Sequence, residues 1–443
     1  MLGSGISFYK KKFVNLTLLT FFIPVFFIFV QSPLISLYTG DQARSGLPPL
    51  PISLFGVFLA IFSTIRHVSY RYLSFIALFT MFAALSLIVN YHPEMIHSRL
   101  ILFIQYITPM LAFVIGISQP VRDLEAPVKA VCIFTLTLMF LQLIFCLMNG
   151  SSVLLKTVWN VGIYQQIQYV GSTNIMVAIT TLWILLCKAK NPVNKLLIFS
   201  LLEFLFIYAI ANTQITGVLF TFLSLIAFIH YFIVKDIKIG TLSPFLKIVL
   251  ILVPICASGI IYKNSDNILA AIHFPYLGEH SSQHHRENRI YSEKINLHDI
   301  SKSPAFAQRA IYWKYYVSES FKDTGSFLFG HPKQPNPINY PSAHNYYLDL
   351  LYNFGFLALS SILAMVAYTF KVLWQNRSLI NKNRYLWMLC FSVLFFLGVD
   401  NMLKTGLKEP YTGILSFYIW GFLFSQIKYL KNIPFTASKE SQC

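Results

Sequence analysis

Charge is scarce in this sequence, and acid is scarcer than base. Of 443 residues only 12% are Asp, Glu, Lys or Arg, divided into 17 acidic and 34 basic residues. So few ionised groups cannot cover a soluble domain of that length. With 56% hydrophobic residues and a mean hydropathy of +0.60, the chain reads as a polytopic membrane protein. Its six cysteines, Cys132, Cys146, Cys187, Cys256, Cys390 and Cys443, show no C-x-x-C spacing and avoid the one long polar segment, so neither a disulfide framework nor a cysteine metal site is expected. A phosphate-binding glycine loop and an Asp-x-Asp pair are also missing, which argues against nucleotide hydrolysis and Mg-dependent nucleotide-sugar chemistry. There is no internal repeat, no low-complexity tract and no soluble catalytic domain at either end. Any chemistry must be built from the spans and their loops.

What the chain has in plenty is apolar runs near the roughly 20 residues that cross a bilayer. Twelve are expected, at about 13–38, 49–65, 73–91, 100–118, 130–148, 172–187, 196–210, 217–234, 248–262, 346–370, 385–400 and 411–427. The first is too long for a signal-peptide core and lacks a small-residue cleavage site, so it reads as an uncleaved span. With both ends inside, 20 Lys and Arg fall on inside segments, starting at Lys10, Lys11 and Lys12. Five fall on short outside loops: Arg44, Arg99, Lys156, Lys404 and Lys408. That bias predicts cytoplasmic termini. The net charge of +17 therefore records topology, and its dispersal over many segments gives no stripe for nucleic acid.

The plan divides into spans 1–9 over 1–262, a long outside loop over 263–345, and spans 10–12 with a tail over 346–443. A purely structural connection would be much shorter than this loop. Its middle carries an N-cap serine, Ser303, and an N1 proline, Pro304, which predict an amphipathic helix over about 304–323. Phe306, Ala310, Trp313, Val317 and Phe321 supply an apolar stripe that would lie on or across the bundle mouth. Arg309 is four residues before Trp313, so the two can share a side. Arg309 is then either a bidentate fork for a phosphate or an interfacial arginine snorkelling to water. The stretch from Gly325 to Pro341, with four prolines and two glycines, is expected to be irregular and to line an aqueous cavity.

This stretch delivers the chain to His344, which Leu348, Leu351 and Gly355 follow at helical spacing. The expectation is that His344 sits in the first turn of a membrane helix. There, exposed N–H groups and the positive dipole end would favour an anion and keep the imidazole neutral, ready to accept a proton. The plainer alternative is an interfacial histidine satisfied by backbone. Asp349 points away from His344 around the helix and reads as orienting a neighbouring loop residue. Glu203, inside the seventh span, must be paired, protonated or facing water. His280, His284 and His285 could hold zinc on a helix, but Arg286, Glu287 and Arg289 among them favour a solvated segment, so no metal is expected.

The order Arg309-x-x-x-Trp313, then Leu328-Phe329-Gly330, then Ala343-His344-Asn345-x-x-Leu348 with Gly355 resembles the O-antigen polymerase and O-antigen ligase superfamily. The motifs cover about 305–356, and the plan of about twelve spans with one large late loop is similar as well. The resemblance implies an all-α, GT-C-like membrane glycosyltransferase. Such an enzyme takes a saccharide from an undecaprenyl diphosphate carrier at the periplasmic face of the inner membrane and needs no metal or other cofactor. It implies a lipid-linked oligosaccharide and membrane lipid as partners, and it admits a chain-length regulator protein. Members, especially ligases, commonly carry an arginine where two middle spans meet outside; here the stretch is Asn212-Thr-Gln-Ile-Thr-Gly217, with Ile215 or Thr216 in its place. That departure favours the polymerase over the ligase.

The chemistry can be argued apart from the resemblance. A diphosphate leaves as a weak base and needs charge stabilisation in place of a protonating acid, which suits Arg309. The attacking sugar hydroxyl needs a base, which suits His344. Arg286, Arg289, Lys333 and Arg99 are the candidates for the second cation, with Asn345 and Trp313 beside the substrate. A flippase for the same carrier is the rival of another class, although repeated halves and midplane broken helices, common in transporters, are not evident.

Overall fold

The computed structural model describes residues 70–118, 125–148, 167–189, 191–211, 215–228, 304–333, 335, 343–408 and 410–432. The expected spans at 13–38, 49–65 and 248–262 lie outside these residues, as do Ser303, His280, His284, His285, Arg286 and Arg289. Among the described residues every regular element is helical. These are α1 Tyr70–Val89, α2 Ile96–Ile117, α3 Glu125–Met148, α4 Ile167–Lys188, α5 Pro192–Ala211, α6 Ile215–Phe228, α7 Pro304–Ser320, α8 Thr324–Phe329, α9 Tyr346–Gln375, α10 Arg377–Lys382, α11 Arg384–Phe395, α12 Asn401–Leu403 and α13 Pro410–Asn432. A π turn, Phe396–Asp400, joins α11 to α12, and a 3₁₀ turn covers Gly406–Lys408.

Helices therefore run through the described part of each of the other nine expected spans, 217–234 being described only to Phe228. Among the described residues four segments, Arg71–Val89, Ile96–Ile117, Tyr346–Gln375 and Arg384–Leu403, are both long and apolar enough to cross a membrane. The chain is a helical membrane protein. Lipid offers no partner to a backbone N–H or C=O, so an apolar run in a bilayer pairs these groups within its own helix.

The chain forms two compact units. In the unit that contains 123–279, α4 packs against α3, α5 and α6, with Ile175, Met176, Val177, Ala178, Ile179 and Leu182 buried. Thr216 is buried at the start of α6, and Glu203 is on the exposed side of α5.

The other unit, which contains 46–122 and 280–443, carries every candidate site residue that is described. Its closest pair is α2 and α13, which approach through Gly116 and Gly421. A Cβ on Gly421 would collide with the Phe113 carbonyl and, at 2.9 Å, with the Ile117 nitrogen; one on Gly116 would collide with the Tyr418 carbonyl and, at 2.8 Å, with the Phe422 nitrogen. Small residues let membrane helices meet backbone to backbone, where packing replaces the missing hydrophobic drive. Phe113 fills the centre, 5.4 Å from the rings of both Tyr72 and Trp420, and the Trp420 indole donates to Thr369 Oγ1 of α9 at 2.9 Å. Gly421→Leu is therefore expected to destabilise this unit by about 1–3 kcal/mol or more through overpacking. Gly398→Ala, whose new methyl meets nothing within 4 Å, should not. Thermal unfolding followed by size-exclusion chromatography in detergent checks the pair.

α9 is two helical segments meeting at Gly355, whose φ of 80° and ψ of 178° only glycine adopts without strain. The break is filled by Gly330, also at positive φ, whose Cβ would fall 2.6 Å from the Asn353 carbonyl carbon. Carbonyls released by the break find donors: His331 N–H bonds Tyr352 O at 2.6 Å, and Arg99 Nη2 bonds Asn353 O at 3.0 Å. The Leu-Phe-Gly turn and the glycine of α9 are thus two halves of one packing joint.

Two expectations for the long loop are corrected. Gly325–Phe329 is helical, because Asp323 caps it: its carboxylate accepts from Ser326 N–H at 2.8 Å and Ser326 Oγ–H at 2.8 Å. The carboxyl of Asp323 is accordingly held below the ordinary range, first by that backbone bond. The apolar stripe of α7 is also not its buried face. Val317 and Phe321 are exposed, whereas Tyr312, Tyr316 and Ser320 are buried. A tyrosine buries as much ring as a phenylalanine; Tyr316 packs against Ala343 and Tyr352, and Tyr312 stacks on His344.

Candidate functional site

His344 precedes α9, outside its first turn. Asn345 is the N-cap: its Oδ1 accepts from Tyr347 N–H at 3.0 Å and Leu348 N–H at 3.1 Å, and its carbonyl accepts from Asp349 N–H at 2.9 Å. Tyr346 N–H donates to Lys404 O at 3.0 Å. The helix end is consumed by the protein itself, so the expected anion site of exposed N–H groups is not there. An asparagine at the head of a periodic run is a cap signal, which explains why Asn345, expected beside substrate, turns its Oδ1 inward.

His344 instead stands on a left-handed backbone, φ 47°, the only non-glycine residue with positive φ among the described residues. This conformation costs about 1–3 kcal/mol and persists only where the surroundings fix it. The fixing is visible on both sides. Ala343 is fully buried, and its carbonyl accepts the Trp313 indole N–H at 2.8 Å. The Tyr312 ring stacks on the imidazole, centroids 6.2 Å apart and planes 23° from parallel. Trp313 thus positions the histidine segment from α7.

Burial foremost, and then the positive charges of Arg309 and Lys408, lower the His344 pKa to about 4 against a smaller opposite pull from Asp349. The imidazole is neutral at physiological pH, as expected, but because of desolvation and neighbouring cations and not the helix dipole. Arg309, half-buried on α7, also acts on Lys404, whose own pKa is lowered chiefly by burial. The charges of Arg309 and Lys408 thus both bear on His344, and that of Arg309 on Lys404 as well.

The segment bearing the two lysines is built by the π turn. Its widened backbone presents Leu397 O to the Tyr347 hydroxyl at 2.6 Å and Phe396 O to Asn401 Nδ2 at 2.7 Å. Asn401 Oδ1 then accepts from Leu407 N–H at 2.9 Å, which fixes the 3₁₀ turn. Lys404 pairs with buried Asp400 at 3.2 Å, and Lys408 with Asp349 at 2.8 Å. Asp349 also accepts from the Tyr106 hydroxyl at 2.5 Å. It orients a loop residue, as its position on the helix implies, and that residue is Lys408.

The other expected substrate contacts are placed elsewhere or not described. Arg99 is buried, and its guanidinium donates to the carbonyls of Asn90 and Pro332, each at 3.3 Å, besides Asn353. It fastens the joint under Gly355. Lys333 is exposed, and its carbonyl accepts the Tyr352 hydroxyl at 3.0 Å. Arg286 and Arg289 lie outside the described residues. Sequence reasoning missed Tyr312, Lys404 and Lys408 as site residues. The row Asp400-x-x-x-Lys404-x-x-x-Lys408 just after an apolar span was the available signal.

The arrangement offers a neutral acceptor for a proton beside several positive charges, a combination suited to an anionic substrate with a hydroxyl nucleophile. Among the described residues no group of three or more His, Cys, Asp or Glu could hold a metal ion. No protein-family model, curated protein or solved structure matches the chain.

Proposed function

We propose that this protein polymerises undecaprenyl-diphosphate-linked oligosaccharide repeat units into a surface polysaccharide of the O-antigen type. The reaction takes place at the periplasmic face of a bacterial inner membrane, with both termini of the protein in the cytoplasm. The observation that carries the reading is His344, held on a left-handed backbone between Trp313 and Tyr312, with the charges of Arg309 and Lys408 bearing on it.

In the reaction, the acceptor sugar hydroxyl attacks the anomeric carbon of the donor. Its proton passes to the neutral imidazole of His344, a glycosidic bond forms, and the bond from the anomeric carbon to the diphosphate oxygen breaks. The electron pair of that bond leaves on undecaprenyl diphosphate, whose growing negative charge Arg309 stabilises. Tyr312 holds the imidazole plane and Trp313 the segment that bears it. No proton need be given to the leaving group, which is why a carboxylic acid beside His344 is dispensable.

Deleting the chain in its host and examining the surface glycan tests this. A polymerase leaves lipid A core bearing one repeat unit. Carrier-linked polymer with bare core would mark a ligase instead, and lipid-linked units trapped inside would mark a flippase.

A further inference from the structure

We propose that α7 is seated on the bilayer: its outer face, continued by Phe327 of α8, docks on the acyl chains of the leaflet that holds Phe356. This goes beyond the proposed reaction and does not depend on it.

The first observation is the sidedness of α7. Tyr312, Tyr316 and Ser320 are buried in the protein, whereas Ile311 and Phe321 are each 60% exposed and Val317 is exposed beside them. The residues with polar tips point inward and the hydrocarbon side chains point outward. A helix with water on its outer side has the reverse order.

The second is that this face is continuous with a surface that lies in lipid. The Phe321 ring is 5.0 Å from that of Phe327, which in turn stacks on Phe356 of α9 at 5.1 Å with planes 15° apart. Phe356, Leu363, Phe370 and Trp374 are all exposed, and their spacing of seven, seven and four puts them on one side of α9. α9 belongs to a segment long and apolar enough to cross a membrane, so that stripe faces acyl chains. From Phe356 to Trp374 the helix rises about 27 Å, close to the roughly 30 Å of a bilayer's hydrocarbon. The guanidinium of Arg377 lies 4.7 Å from the Trp374 ring centroid, an aromatic and basic pair of the kind that marks a membrane surface. Phe356 then stands near the opposite surface. The ladder from Phe356 through Phe327 to Phe321 carries the lipid-facing stripe sideways onto α7 at that level.

The third is charge. Lys314 and Lys322 are exposed on α7 and just beyond its end. A lysine stem lies along apolar surface while its ammonium reaches the headgroups, and a basic amphipathic helix favours anionic lipid. Because Trp313 of α7 holds the Ala343 carbonyl, seating α7 on the bilayer also fixes the height of the neighbouring His344.

The test places the photoreactive residue p-benzoylphenylalanine at single positions of the full chain in nanodiscs of phosphatidylcholine and phosphatidylglycerol. It replaces Phe321, Leu363 as the lipid-facing reference, or Lys333 as an exposed loop reference. After illumination, mass spectrometry should find phospholipid adducts at 321 within about threefold of those at 363. They should exceed those at 333 at least tenfold, and fragmentation should place the new bond on an acyl chain. A yield at 321 no higher than at 333 overturns the proposal. So does a product joining position 321 to a second copy or to another peptide of the same chain, since protein would then cover the face.

If the substituted chains do not fold, the wild type decides the matter with a phospholipid that carries a diazirine on its acyl chain. Label is expected on the peptide with Val317 and Phe321 as well as on the peptide with Leu363 and Phe370. Label confined to the second peptide would put α7 in water.

Discussion

His344→Ala is expected to stop glycan extension while the protein still inserts and folds. A positioned base contributes roughly 100- to 10,000-fold to a proton transfer, and one half-buried imidazole adds little to the packing of its unit. The backbone complicates the alanine variant, because φ is 47° at this position and a non-glycine residue is strained there. Two companions separate the effects. His344→Gly removes the strain along with the base, so it should be at least as stable as the wild type and equally inactive. His344→Asn tolerates the left-handed conformation and keeps a polar side chain without a basic nitrogen. Near-normal polymer from either companion would sink the assignment.

The pH profile gives a second handle on the same residue. Burial and the cations hold the free-enzyme imidazole down to about 4. Its basic form is therefore present at neutral pH and lost only as the pH falls through that value, so kcat/KM should be level near neutrality and decline in strong acid. Bound diphosphate offsets the cations and raises the imidazole pKa in the complex. The acid limb of kcat, which reports the complex, should then lie above that of kcat/KM, which reports the free enzyme. Coincident limbs would mean that no anion sits beside His344.

How much of this was legible in the sequence depends on which force placed each part. Bilayer-length apolar runs are set by the absence of water, a constraint local to the run, so each expected span within the described residues is a helix. Helix starts with short-range caps were equally open to reading: Pro304 begins α7 as expected, and Asn345 and Asp323 would have placed α9 and α8 had they been read as caps.

The buried face of α7 was not legible from the apolar stripe of Phe306, Ala310, Trp313, Val317 and Phe321, because the partner surface, Ala343 and Tyr352 for Tyr316 and His344 for Tyr312, selects tyrosines. Long-range pairs were less legible still. Arg99 lies 254 positions from the Asn353 carbonyl it serves, and Tyr106 lies 243 from Asp349. Nothing in the local sequence around an arginine near a span end says whether its fork meets a substrate or a broken helix. The same ambiguity hid Lys408, which reads as a topology marker in an outside loop until Asp349 is seen to hold it.

Arg309→Ala should lose nearly all turnover, roughly 100- to 1,000-fold, the usual effect of removing one preorganised electrostatic contact. Arg309→Lys should recover only part of it. A planar, permanently charged guanidinium can hold two phosphate oxygens at once, whereas an ammonium presents a point charge, so charge without shape is insufficient. The alanine variant also removes a positive charge that bears on His344 and on Lys404. The His344 pKa should rise in consequence, and the acid limb of kcat/KM should move upward in Arg309→Ala but not in Arg309→Lys. That shift separates a charge acting at the site from an arginine that merely anchors α7 to the membrane surface, where removal would alter neither the imidazole nor the turnover. Extension assays with purified protein on an undecaprenyl diphosphate oligosaccharide, over a range of pH, measure both quantities. Wild-type turnover by Arg309→Ala at saturating donor would rule out its part in the transition state, and an unmoved acid limb as well would return Arg309 to the interface.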